Sequence, residues 1–265
     1  MSRVKYFLIS LIFLFIVGCQ QKSRDDHEIY IGTISGPETE LMEVAKVVAK
    51  QKYNLEVKIF EFEDYTMPNT ALAEGAIDAN MFQHQPFLDI VNQERHLDLI
   101  AIGKMYIYPM GIYSKKYTEL QSLPIGAKIG IPNDPSNEAR ALKLLEKAGL
   151  ITLAESSDLQ LTPKKIRTNP KNLRFQEVTA AQLPRALDDF DAACINTNYA
   201  LAASLSPTDA LFKENKDSPY VNIVVVNNSE KDKEKFEKLM LSLHSEEVQA
   251  KAKALFGEYA LPGWK

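Results

Sequence analysis

The 265 residues carry 31 basic and 35 acidic side chains, a net charge of −4, with 45% apolar and 25% charged residues. That is the make-up of an ordinary globule, not of a disordered chain or one embedded in a bilayer. No long basic block occurs, which excludes nucleic acid as a partner and excludes a polybasic patch for membrane binding.

The first segment reads as an export signal. Arg3 and Lys5 precede a twelve-residue apolar run, Tyr6 to Val17, broken only by Ser10. A helix needs roughly twenty residues to cross a hydrocarbon core of about 30 Å, so residues 1–18 are read as a cleaved signal peptide. In Ile16-Val17-Gly18-Cys19 a small residue directly precedes a cysteine. This resembles the lipobox of bacterial lipoproteins; a plain secretory signal with an incidental cysteine is the alternative. The lipobox implies a diacylglycerol on the Cys19 sulfur and a third acyl chain on its amine. Two or more chains anchor stably where one binds only marginally. Residues 19–28 then form a polar tether. Loss of Arg3 and Lys5 lowers the net charge to −6, so the lipid must be the anchor. The folded part is expected outside the cytoplasm, on the periplasmic face in a Gram-negative cell. With Cys19 acylated, Cys194 has no disulfide partner. It sits in the apolar run Asp191 to Ile195 and is read as a buried small hydrophobe, not a nucleophile.

Order is expected from Ile29 to Ile34, a short strand. Gly36-Pro37 then opens a helix with Pro37 at its first position, and Leu41, Val44, Ala45 and Val48 recur at the period of one buried stripe. A strand over Leu55 to Glu61 and a helix over Asn69 to Gly75 follow. Next come strands at Leu99 to Gly103 and Lys128 to Ile131, a helix from Pro135 to Gly149, and a strand at Leu173 to Val178. A helix over Ala180 to Leu187 precedes strands at Ala192 to Ile195 and Val221 to Val226. Helices at Glu230 to Leu243 and Glu246 to Phe256 finish the chain. Alternating strands and helices predict an α/β fold with mainly parallel sheets flanked by helices. The extended stretch Met105 to Tyr113 and the segment Ser218-Pro219-Tyr220 predict two crossings. They place residues 29–107 and 226–265 in one lobe and 108–225 in the other, with a cleft between.

Catalytic patterns are missing. The four histidines are scattered, and there is no H-E-x-x-H, paired-cysteine, EF-hand, G-x-S-x-G or Walker pattern. No metal, cofactor or enzymatic activity is expected. Binding features are richer. The run Asp78 to Phe87 passes from a strand end into a helix opened by Pro86, where Phe82 and His84 would offer polarisable faces to a ligand or simply fill the core. At the junction Ile131 to Arg140, Asn133 or Asp134 can cap a helix. Arg140, one turn in, would clasp a carboxylate bidentately or make a surface ion pair. The junction Ile195 to Ala200 offers amides that donate and accept, or that merely cap. Asn222 follows Tyr220-Val221 at the second crossing, where it could face the cleft.

The chain resembles the methionine-binding lipoproteins, the MetQ/NlpA family of substrate-binding components of D-/L-methionine ABC importers. The resemblance is carried in order by Ile77-Asp78-Ala79-Asn80 with Phe82-Gln83-His84, Tyr108-Pro109, Pro132-Asn133-Asp134-Pro135 and Asn169 to Leu173. Gln182-Leu183-Pro184-Arg185, Ile195-Asn196-Thr197 and Ser218 to Asn222 complete it. It implies a two-lobed periplasmic-binding-protein fold that closes on one amino acid. Arg140 would hold the α-carboxylate, Asn196 and Asn222 would bond the head group, and Tyr65, Phe82, His84 and Tyr108 would wall the side-chain pocket. The implied partners are methionine and an ABC permease with its cytosolic ATPase, and a monomer is expected. A methionine-containing dipeptide is the alternative ligand; a lipid-anchored hydrolase using His84, or a scaffold, are alternatives of other classes. Two departures from the family pattern, Gly36-Pro37-Glu38-Thr39 and Asn198 in place of threonine, are expected outside the core pocket set, the first near enough to touch the ligand.

Lipidation has a direct test. Cys19→Ala is expected to release the protein into the soluble fraction; a variant that still pellets with membranes contradicts the anchor.

Overall fold

The computed structural model describes residues 26–155, 161–215 and 218–264. Cys19 and the signal segment lie outside the described residues. In chain order the first elements are β1 (Glu28–Ile34), α1 (Pro37–Tyr53), β2 (Glu56–Phe62), α2 (Pro68–Ala73), β3 (Ala79–His84), α3 (Gln85–Arg95) and β4 (Leu99–Ile107). Then come β5 (Gly111–Tyr113), β6 (Lys128–Pro132), α4 (Pro135–Lys147), β7 (Thr152–Leu153), β8 (Ile166–Thr168), β9 (Arg174–Val178) and β10 (Ala192–Ile195). The chain ends through α5 (Thr197–Ala202), β11 (Phe212–Lys213), β12 (Val221–Asn227), α6 (Glu234–Leu243), α7 (Glu246–Phe256) and β13 (Leu261–Pro262). Among the described residues no helix is long and apolar enough to cross a membrane.

The strands form a six-stranded sheet, ordered β13-β4-β12-β3-β1-β2, and a five-stranded sheet, β11-β5-β10-β6-β9. In the first, β1 is parallel to β2 and β3, while β12 is antiparallel to β3 and β4. In the second, β6 is parallel to β9 and β10, and β5 is antiparallel to β10 and β11. The α/β architecture is therefore as expected, but the sheets are mixed rather than mainly parallel. The reason lies in the crossings. Strands β3, β4, β6 and β10 all end at the edge facing the other sheet, so a strand arriving from there starts at that edge and must run the opposite way. Both arriving strands, β5 and β12, do so. Strand β12 lies wholly in the six-stranded sheet from Val221, so the expected lobe boundary at 225/226 falls inside it.

Local chemistry explains most elements. Pro37 occupies the first turn of α1 behind Gly36, whose φ of 121° disfavours any side chain. Leu41, Met42, Ala45, Val48 and Ala49 form the buried stripe, and the expected Val44 is only half-buried beside it. Asn54 ends the helix in the left-handed conformation with its N–H on the Ala49 carbonyl. Cys194 is buried in β10, as expected. The helix expected over 180–187 is not formed: 3₁₀ turns at Ala180–Gln182 and Leu187–Asp189 flank a non-helical stretch. Pro184 lacks the N–H that an α-helix would send to Ala180, which breaks the ladder there.

Of the four apolar clusters among the described residues, three bear on the site; the fourth, around Leu72, Leu88 and Val225, packs α2 and α3 on the first sheet. One packs the first sheet against α1, α6 and α7, including Ile31, Leu41, Met81, Leu239 and Phe256. A second packs the other sheet against α4, including Ile129, Leu142 and Cys194. The third joins Ile34, Phe82 and Phe87 from the first sheet's side to Leu183, Phe190, Ile195 and Tyr199 from the second. It is this third cluster that backs the site.

Candidate functional site

Strand carboxyl ends from both sheets meet across the third cluster, and helices α1, α3, α4 and α5 start there. Ligands of open α/β folds bind at such ends. Here the convergence makes one narrow cavity that opens to solvent. All seven residues expected to bind a ligand line it: Tyr65, Phe82, His84, Tyr108, Arg140, Asn196 and Asn222.

Strand β3 and the start of α3 supply one wall. His84 is the N-cap of α3, and its Nδ1 accepts the Phe87 backbone N–H at 3.3 Å. A backbone N–H can only donate, so Nε2 carries the proton and donates to Asn137 Oδ1 at 3.4 Å. Burial, assisted by the nearby Arg140 charge, pushes the His84 pKa down to about 3. The ring is thus neutral, with both nitrogens bonded. It is a wall, not a base, which removes the basis for the hydrolase reading. Behind it a closed amide network of Asn69, Asn80 and Gln83 holds β3: Gln83 Nε2 donates to Asn69 Oδ1 at 2.6 Å and to Asn80 Oδ1 at 2.9 Å. This gives a physical role to the Asn80 and Gln83 of the sequence motif.

Aromatic rings make the apolar wall. Tyr65 lies 5.7 Å from Phe82, 6.0 Å from Phe87 and 4.9 Å from Tyr199, centroid to centroid. Phe82 and Phe87 meet edge to face at 5.6 Å. The Tyr65 hydroxyl donates to Asn198 Oδ1 at 2.8 Å. Burial raises its pKa well above the usual phenol range and keeps that proton in place. Tyr108 stacks on Phe256 at 4.4 Å, which fixes its ring against the first sheet.

Helix α4 supplies the cation. Asp134 caps the helix through the Asn137 backbone N–H at 2.9 Å, and its carboxylate also receives Asn137 Nδ2 at 2.9 Å. Asn137 Oδ1 in turn accepts from Asn196 Nδ2 at 2.8 Å. Arg140 is 4% exposed, so the surface-pair reading is wrong. The expected bidentate clasp exists, but its partner is Glu214: Nε donates to Oε1 at 2.9 Å and Nη2 to Oε2 at 2.6 Å. Nη2 also donates to the Tyr108 carbonyl at 2.9 Å, and the Tyr220 ring covers the guanidinium at 4.4 Å. Burial opposes the charge, and the Glu214 carboxylate outweighs it, so the Arg140 pKa is raised. Among the described residues these bonds use Nε and Nη2.

The two segments expected outside the core set both belong to it: Glu38 and Asn198 line the cavity, as do Phe87, Asn137, Gln83 and Thr197. Three buried polar atoms in this lining have no hydrogen-bond partner among the described residues: Glu38 Oε2, Asn196 Oδ1 and Asn198 Nδ2. Asn222 Nδ2 is committed to the Phe82 carbonyl at 3.4 Å. Two acceptors, one donor and one guanidinium edge beside an aromatic wall suit a small molecule that carries both charges and an apolar tail. Glu214 escaped sequence reasoning because nothing local marks it; its partner is 74 residues away.

A two-sheet α/β protein with a polar, aromatic-walled cleft at the strand ends belongs to the solute-binding class. Comparison refines this: residues 29–264 match the NlpA lipoprotein family, and the chain belongs to that family of non-enzymatic, membrane-anchored, extracytoplasmic substrate-binding lipoproteins. It is 44% identical to the D-methionine-binding lipoprotein MetQ of Escherichia coli K12 over 254 residues, 95% of this chain and 94% of that one. Lipoprotein 28 of the same organism is also 44% identical, over 95% of this chain and 93% of its own length. Among solved structures, a nutrient binding protein from Burkholderia cenocepacia bound to methionine is 46% identical. The match has a TM-score of 0.87 and covers 89% of this chain and 99% of that one.

The site's buried ionisable groups leave a mark on stability. Burial pushes Glu38 up from 4.5 to about 8. Its contribution is therefore fully present below pH 4.5 and lost as pH rises towards 8. His84, lowered from 6.5 to about 3, acts oppositely: its contribution is full above pH 6.5 and lost as pH falls. Without ligand, the wild type should lose about 2 kcal/mol more than Glu38→Gln between pH 6.5 and 8.5. Urea denaturation of both proteins at the two pH values measures the difference.

Proposed function

We propose that this chain captures methionine outside the cytoplasm and delivers it to an ABC permease driven by a cytosolic ATPase, working as a lipid-anchored monomer. The observation that carries the reading is the gathering of Tyr65, Phe82, His84, Tyr108, Arg140, Asn196 and Asn222, scattered over 158 positions of chain, around a single cavity. In this reading Arg140 Nη1 and Asn198 Nδ2 meet the carboxylate, and Asn196 Oδ1 accepts from the ammonium. Tyr65, Phe82 and His84 bury the thioether, a gain on the order of 2 kcal/mol. Sulfur–aromatic contact adds to it. The segments 108–110 and 214–220 are the proposed crossings about which the two lobes close, and closure presents the surface that the permease reads.

A longer ligand is the second reading. A further cavity of about 130 Å³ lies across Tyr65 and Phe87, which line both spaces, and this favours a methionine-containing dipeptide if those rings part.

Arg140→Ala is expected to weaken methionine binding by about 2–5 kcal/mol, at least about 30-fold. Titration calorimetry measures it, with circular dichroism establishing that the variant is folded. Unchanged affinity in a folded variant removes Arg140 from the site.

A further inference from the structure

Glu38 poses a problem that the assigned set of residues does not solve. It is the second residue of α1, 1% exposed, and its Oε2 has no hydrogen-bond partner among the described residues. A buried carboxyl oxygen without a partner costs stability, and proteins rarely keep one unless something uses it. The position is not accidental in the fold. Gly36 and Pro37 set the direction in which α1 starts, and Thr39 beside Glu38 is tied down by Thr33 Oγ1 at 2.8 Å and the Ile34 carbonyl at 3.1 Å. The first turn is thereby held, with Glu38 in the lining of the same cavity as Arg140 and Asn196.

The surroundings define what it can bind. The phenols of Tyr65, Tyr108 and Tyr199 all feel its charge. The two other titratable groups of the lining are His84, neutral, and Arg140, already paired with Glu214. Among the described residues, the lining therefore leaves no cation to neutralise Glu38. An amino-acid ligand brings one: its ammonium is a compact cation with three donors, the same charge and hydrogen-bonding sense that Oε2 lacks.

We propose that Glu38 is the anionic partner of the ligand's ammonium group, with Asn196 Oδ1 as the neutral acceptor beside it. The inference rests on the reading of the cavity as an amino-acid site and deepens it, by making the free α-amino group a requirement for tight binding. Burial holds Glu38 near pKa 8 in the ligand-free protein, so it is mostly protonated there and no bare anion is stranded in the core. When the ammonium arrives, the Glu38 proton leaves to solvent and the carboxylate accepts an ammonium N–H.

The test compares Glu38→Gln with the wild type, using L-methionine and its des-amino analogue 4-(methylthio)butanoate in titration calorimetry at neutral pH. Glutamine preserves shape and matches the neutral state of the ligand-free site, so the variant is expected to fold. The proposal predicts a methionine affinity lower by about ten- to hundredfold in the variant, as for loss of a charged hydrogen bond. Affinity for the analogue should not fall. An analogue that binds neither protein, with methionine weakened in the variant alone, supports the proposal equally. Unchanged methionine affinity, or an equal loss for both ligands, overturns it. A wild type that ignores methionine altogether would instead strike at the amino-acid reading itself, and this proposal would fall with it.

Discussion

A guanidinium that is 4% exposed stays charged only if an anion is held against it, and the Arg140–Glu214 pair meets that demand. Much of the architecture is organised around this pair. Arg140 comes from α4 beside the second sheet and reaches the carbonyl of Tyr108, where the chain has just left the first sheet. Glu214 also accepts from the Met110 N–H at 3.0 Å and the Ser218 hydroxyl at 3.2 Å, binding the outgoing and returning segments together. Breaking one partner of such a buried pair costs about 3–5 kcal/mol. The cation of the cleft and the two crossings are therefore one interaction. A ligand that pulls on Arg140 also pulls on the segments that join the two sheets.

The remainder of the site follows the same economy of charge. His84 is neutral because burial and Arg140 make a second positive charge too costly. Its fixed tautomer orients Asn137, and Asn137 orients Asn196 by accepting from it. That leaves Asn196 Oδ1 turned away from the network as a free acceptor. Directional groups thus collect on one side and Tyr65, Phe82 and Phe87 on the other. In the proposed function a carboxylate, an ammonium and a polarisable apolar tail would each meet a different element of the cleft.

Much of this was legible in the amino-acid order. Period and end signals mark the start of α1, and α4, α7, β6, β10 and β12 within a residue or two, because each carries its own stripe, cap or apolar run. Pro184 is the local signal against a helix over 180–187. The antiparallel entry of β5 and β12 was not legible, since strand direction depends on which edge the chain arrives from. At the site, the residues on strand-to-helix junctions stood out, while Glu214 did not, being recruited by contact across 74 positions. Glu38 and Asn198 were visible as departures from the family pattern. Their place in the cavity lining depends on α1 and α5 converging, which no local signal records.

The central claim is that this cleft is shaped for one free methionine. The most direct measurement is mass spectrometry of the small molecules released when natively purified protein is denatured, followed by titration of the emptied, refolded protein with L-methionine. The account predicts methionine at one per chain, or an empty chain that takes up one equivalent on titration. A different ligand at one per chain, or an empty chain indifferent to methionine, would contradict it.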